Sequence, residues 1–100
     1  MVECTQCGNK LAGESSVASI SGSISGDECT ESYYFCAQCG LYTVVIFWDC
    51  FLGEETSSTR GPISKEEGLR KIELIRQCEE SWNKKCRCKT HCEYFDNMLD

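Results

Sequence analysis

Several common protein classes are excluded by what this sequence lacks. Its longest apolar stretch, Thr43 to Leu52, is interrupted by Asp49 and falls far short of the ~20 residues that cross a bilayer. The opening Met1-Val2-Glu3-Cys4-Thr5 has neither the basic start nor the apolar run of a secretory signal. No P-loop, nucleophile elbow or glycine-rich dinucleotide turn occurs. Positive charge is scarce: 10 Lys and Arg stand against 16 Asp and Glu, a net charge of −6. That balance disfavours a nucleic-acid module working by bulk charge. At 100 residues the chain buries roughly two-thirds of its unfolded surface, enough for one modest core.

Cysteine is what the sequence has in excess, 10 residues in 100. That density means a disulfide scaffold or a metal–thiolate protein. Without a leader the expected location is cytoplasmic, where thiols stay reduced and clustered cysteines more often bind metal.

Charge and pattern divide the chain near residue 63. The eight acids of residues 1–63 face only Lys10 and Arg60, whereas residues 64–100 hold eight acids and eight bases. The first part reads as β. Ser15 to Ile24 suits an exposed strand or hairpin, or a mobile loop, and Glu31 to Cys36 holds Tyr33, Tyr34 and Phe35. Tyr42 to Leu52 is the strongest strand, rich in β-branched and aromatic residues. Tyr42, Val44, Ile46, Trp48 and Leu52 fall on one face, and Val45, Phe47 and Phe51 on the other. A strand apolar on both faces needs cover on both.

Gly53 to Pro62 reads as a loop. Ser64-Lys65-Glu66-Glu67 is a capping box, and Leu69, Ile72, Ile75, Cys78 and Trp82 recur at helical spacing. A helix is expected from about Lys65 to about Glu80, packed on the strongest strand, with Gly68 costing it roughly 1 kcal/mol relative to alanine. Thr90-His91-Cys92-Glu93 is a second box, opening a short helix that bears Tyr94, Phe95, Met98 and Leu99. The expected fold class is α+β: a three-stranded antiparallel sheet over residues 1–52, a loop over 53–63, and a helical segment over 64–100. The whole forms one compact unit.

Two pentapeptides nearly repeat, Cys4-Thr5-Gln6-Cys7-Gly8 and Cys36-Ala37-Gln38-Cys39-Gly40. In CxxCG a tight turn aims both thiolates at one ion, and glycine lets the backbone turn without a Cβ clash. Turn amides donate to sulfur and support the thiolate form. Two such knuckles, with 28 residues between Cys7 and Cys36, supply a closed tetrahedral four-thiolate site. In these residues, Cys4, Cys7, Gly8, Cys36, Cys39 and Gly40, the chain resembles the zinc-ribbon (rubredoxin-like) class over residues 1–52. The resemblance implies three antiparallel strands hung from two knuckles and says little about activity. Rubredoxins carry the same knuckles around iron and move single electrons. Here Asn9 and Lys10 replace the aromatic expected after Gly8, and the Asp/Pro-rich loop is missing, Pro62 being the sole proline. Zinc is the expected ion and iron the alternative.

Cys78, Cys86, Cys88, His91 and Cys92 form a second cluster around the only histidine. Thiolate and imidazole are ligand types that suit zinc, and an ion here would tie the two helices together. Five candidates compete for four places. The expected set is Cys78, Cys86, Cys88 and His91, with Cys92 as the alternative to His91, since adjacent helical residues diverge by about 100°. Lys84, Lys85, Arg87 and Lys89 interleave this cluster, either offsetting thiolate charge or contacting a phosphate backbone. Four thiolates with one divalent ion add two negative charges and three thiolates add one. Two filled sites therefore take the net charge to about −9, which repels polyanions.

A hairpin turning at Ala37–Gly40 sets Cys29 near Trp48 and Cys50 a step or two away. The pair is within bridging range under oxidising conditions or simply inert core. His91-Cys92-Glu93 superficially matches the His-x-Glu of zinc deaminases, but no Pro-Cys-x-x-Cys follows. Catalysis is not expected. The function that emerges is a non-enzymatic, two-zinc protein-interaction or adaptor module without membrane contact. An iron electron carrier, or nucleic-acid binding through Lys84–Lys89, are the alternatives.

Overall fold

The computed structural model describes residues 2–11, 16–24, 26–50, 53–96 and 99. The fold is mostly β. Two short strands, β1 (Val2–Glu3) and β2 (Lys10–Leu11), pair antiparallel on either side of the first knuckle. A four-stranded antiparallel meander follows: β3 (Ser16–Ile24), β4 (Asp27–Cys36), β5 (Leu41–Asp49) and β6 (Glu55–Ile63), in that spatial order. Two helices complete it, α1 (Lys65–Arg76, 12 residues) and α2 (Lys89–Tyr94, 6 residues).

This corrects the expected architecture, a three-stranded sheet followed by a long helix. The stretch read as a loop, residues 53–63, contains the nine-residue strand β6. Every residue of β6 except Ile63 is exposed, so it carries no apolar alternation to be read. Pairing along β5 makes it a strand. Its Pro62 is tolerable because the strand lies at the sheet edge, where one side of the backbone needs no ladder partner.

The β4–β5 register runs from Cys36↔Leu41 to Glu28↔Asp49 and places Cys29 opposite Trp48, as the turn position requires. Ala18, Ile20, Tyr33, Val44, Tyr42, Ile46 and Trp48 contribute to the core, which Ile72 and Ile75 of α1, Tyr94 of α2 and Phe95 just after it close from above. The other face of β5 is less covered than its apolar content predicts: Phe47 stays 38% exposed. Its neighbours on β4 and β6 are Thr30 and Ser57, short polar residues that bury little of the ring. Phe51 and Leu52 lie outside the described residues.

The capping box at Ser64 forms, with its side chain accepting from the Glu67 amide at 3.1 Å. The helix it opens is four residues shorter than its periodicity suggests and turns one position differently. Gly68, Ile72 and Ile75 are its buried residues, whereas Leu69 is 47% and Trp82 69% exposed. The reason is Tyr42. A Cβ on Gly68 would meet the Tyr42 ring at 2.2 Å, so the glycine is what lets the helix lie directly on that ring. The helix ends in tight bonds, Gln77 N to Leu74 O and Cys78 N to Ile75 O, both 3.1 Å, which put Cys78 beyond it rather than in its last turns. The second helix also begins earlier than expected. Cys88, not Thr90, is its cap: its Sγ accepts from the His91 amide at 3.5 Å. Tyr94 and Phe95 are buried and Leu99 is half-buried; Met98 lies outside the described residues.

A buried polar chain crosses the core. The Tyr94 hydroxyl donates to Glu31 Oε1 at 2.7 Å, so Tyr33 must donate to the Tyr94 oxygen, also at 2.7 Å. Arg60 from β6 donates to the same carboxylate oxygen at 3.2 Å. Burial and the carboxylate nearby push both phenols up, keeping them neutral donors.

Candidate metal centres

All ten cysteines are unbridged. Eight metal-ligand side chains fall into two groups of four: Cys4, Cys7, Cys36 and Cys39, and Cys78, Cys86, Cys88 and His91. In each group the ligand atoms lie within 4.8 Å of one another.

The first centre joins the β1–β2 turn to the β4–β5 turn. Gly8 N bonds Cys4 O at 2.9 Å and Gly40 N bonds Cys36 O at 2.8 Å. Both glycines have positive φ, 74° and 70°, a conformation that a β-carbon disfavours. The knuckles are therefore near copies facing each other. The first is held against the sheet by Thr5, whose amide donates to Thr43 Oγ1 at 3.1 Å, and Thr43 is itself buried on β5. Sulfur separations are 3.6 Å for Cys4–Cys39, 3.8 Å for Cys7–Cys36 and 3.5 Å for Cys36–Cys39. A tetrahedral ion with ~2.3 Å bonds to sulfur requires edges of about 3.8 Å, close to these three separations, and all four sulfurs lie within 4.8 Å of one another. The first cysteine of each knuckle is primed as thiolate. The Cys7 amide, with help from Gln6, lowers Cys4 to about 6 against the cost of burial. The Cys39 amide likewise lowers Cys36. Cys39 is pushed up, first by its contact with Cys7 and then by burial, as expected when crowded thiols share protons and no cation is present.

The second centre is assembled from the turn after α1, the following loop and the start of α2. Cys78 Sγ lies 3.7 Å from Cys86 Sγ and 3.5 Å from Cys88 Sγ. His91 Nδ1 lies 3.4 Å from both Cys78 and Cys88 sulfurs. Its other nitrogen, Nε2, is 3.0 Å from the Ser21 carbonyl oxygen on β3. A carbonyl only accepts, so Nε2 carries the proton and Nδ1 presents a lone pair to the thiols, the tautomer a metal ligand needs. The ring is fully buried. Burial pushes Cys88 up, yet the His91 amide, which donates to its sulfur, together with the Cys78 and Cys86 thiols, outweighs it and brings the thiol down to about 6. Burial takes Cys78 up to about 12.

Cys92 stands apart from this quartet, its Sγ directed at Arg87 O, 3.7 Å away. The four interleaved basic residues divide. Lys84 pairs with Glu28 on β4, and Arg87 folds back to donate to Lys84 O and Cys86 O. Cys29 is buried beside Trp48, and burial, then Glu31, pushes it up to about 11; Cys50 is half-buried and free. Neither belongs to a metal group. The residues that sequence reasoning missed are Thr43 and Ser21. Thr43 reads as one more β-branched strand residue, and Ser21 acts through its backbone, which no side-chain pattern can signal. Among the described residues no helix is long and apolar enough to cross a membrane.

No family model, curated protein or solved structure matches the chain.

Proposed function

We propose that the protein is a non-catalytic, two-zinc binding module of a thiol-reducing compartment such as the cytoplasm, presenting a metal-braced surface to a protein partner. The observation that carries this reading is the His91 ring, hydrogen-bonded to Ser21 in the tautomer that offers Nδ1 to the Cys78 and Cys88 thiols. Four protein ligands at each centre leave no open position for water or substrate, which favours bracing over chemistry. Bound zinc would supply folding energy, on the order of 10 kcal/mol per site. The first ion would tie the two knuckles together, and the second would hold the interhelical loop against β3.

Elemental analysis of protein purified without added metal tests this. Two zinc ions per chain, a colourless solution and unfolding by a strong chelator are the expected results. Iron, seen as a red protein that bleaches on reduction, would replace the reading with an electron carrier. An ordered protein free of metal, with its cysteines paired as disulfides, would end both.

A further inference from the structure

The segment that carries the second centre, residues 84–90, runs from a turn into the first residues of α2. Cys86 and Cys88 turn inward to the quartet, Thr90 is buried, and Lys84 is tied to Glu28. Between them Lys85, Arg87 and Lys89 are all exposed, Arg87 while also donating to Lys84 O and Cys86 O. A few residues upstream, Trp82 is 69% exposed, the most exposed large apolar side chain among the described residues. Trp82 does not sit on a loose tip. The preceding carbonyl, Ser81 O, accepts from Ser21 N at 2.8 Å, the same Ser21 whose carbonyl holds His91. The Asn83 side chain accepts from the Lys85 amide at 3.0 Å, and Cys86 N bonds Asn83 O at 3.0 Å. A large aromatic and a row of cations are thus displayed on a loop anchored to a sheet edge at one end and to the quartet at the other. Tryptophan and arginine dominate the energetic centres of protein interfaces, and a pre-ordered loop loses little entropy on binding.

We propose that Trp82, Lys85, Arg87 and Lys89 form the docking surface for a short acidic segment of a partner protein, bound in extended form. Such a segment carries carboxylates at every second residue, which projects them to one side to meet the exposed cations, and an apolar residue for Trp82. Charge chooses the length of the partner. A nucleic-acid strand would run beyond three cations into Glu79 and Glu80, both exposed, on a protein of net charge −6. A short peptide ends within the patch, and at physiological salt charges farther than about 8 Å away are largely screened. This inference rests on the two-zinc reading for the rigidity of the loop.

The test is fluorescence anisotropy with a fluorescein-labelled peptide of about ten residues, aspartate at alternate positions around one central leucine. An oligothymidylate of similar length and a lysine-for-aspartate peptide serve as comparisons. Zinc content is measured on the same samples. The expected result is saturable binding of the acidic peptide alone, weakened as salt rises from about 50 to about 300 mM. Trp82→Ala and the double variant Lys85→Glu/Lys89→Glu should each weaken it by about tenfold or more while keeping wild-type zinc content. Zinc-loaded wild-type protein that ignores the peptide, or variants that bind it equally well, would overturn the docking surface and leave the two-zinc reading standing. Tighter binding of the oligothymidylate would overturn it in favour of a nucleic acid. Wild-type protein without zinc would remove the underlying reading instead.

Discussion

His91 Nε2 and the Ser21 carbonyl oxygen, 70 residues apart in sequence, meet at 3.0 Å. Through this contact the edge strand β3 selects the imidazole tautomer, and the second centre in turn covers the edge of the sheet. An unpaired sheet edge invites association with other chains. Here Ser81 O and His91 occupy the outward amide and carbonyl of one residue.

Replacing His91 separates the two roles of its ring. His91→Cys can still supply a fourth ligand, so zinc content should stay at two ions, but the Ser21 carbonyl loses its donor. An unsatisfied buried group costs about 1–3 kcal/mol, to be read from the urea midpoint. His91→Ala should lose one zinc and considerably more stability. Equal stability of His91→Cys and wild type would show that the carbonyl contact contributes nothing.

Cys92 and Cys36 make a matched pair. Cys92→Ser should retain two zinc ions, because its sulfur points at the Arg87 carbonyl. Cys36→Ser removes a ligand at the heart of the first centre and should leave one ion, with stability reduced by several kcal/mol. Loss of zinc from Cys92→Ser by mass spectrometry would reassign the fourth ligand.

Gly68→Ala should destabilise, reversing the usual sign. In an exposed helix the change is worth roughly 1 kcal/mol of stabilisation. Here the added carbon would lie 2.2 Å from the Tyr42 ring, and overpacking of this kind costs typically about 1–3 kcal/mol. Denaturant melts of Gly68→Ala and of Gly68→Ala/Tyr42→Leu should show the second change recovering part of the loss.

Alkaline pH should weaken the fold through Cys29. Its thiol is pushed up to about 11 by burial, whereas in the unfolded chain it ionises near 8.5. Between those values the unfolded state has given up a proton that the folded state keeps, so stability falls as pH rises. Below the lower value the contribution is fully present. Tyr33 and Tyr94, also raised, act in the same direction at higher pH. Cys29→Ala should flatten the slope between about pH 8.5 and 11; an unchanged slope would assign it to other groups.

What the sequence determined by itself was local. The CxxCG knuckles, the β4–β5 register that sets Cys29 against Trp48 and the Ser64 cap each depend on residues near one another or on a single turn. Their physics is contained in a few φ/ψ choices and one or two hydrogen bonds. Tertiary structure decided the rest. Strand β6 has no apolar period of its own and is a strand because β5 offers it a ladder. The face that α1 presents was set by the fit of Gly68 to Tyr42, shifting the buried stripe away from Leu69 and leaving Trp82 to solvent. His91 was already the expected fourth member of the second quartet, but the contact that orients its ring comes from a backbone carbonyl on a distant strand. A hydrogen bond between a side chain and remote backbone leaves no trace in the pattern of residue types, because any residue at position 21 would offer the same oxygen.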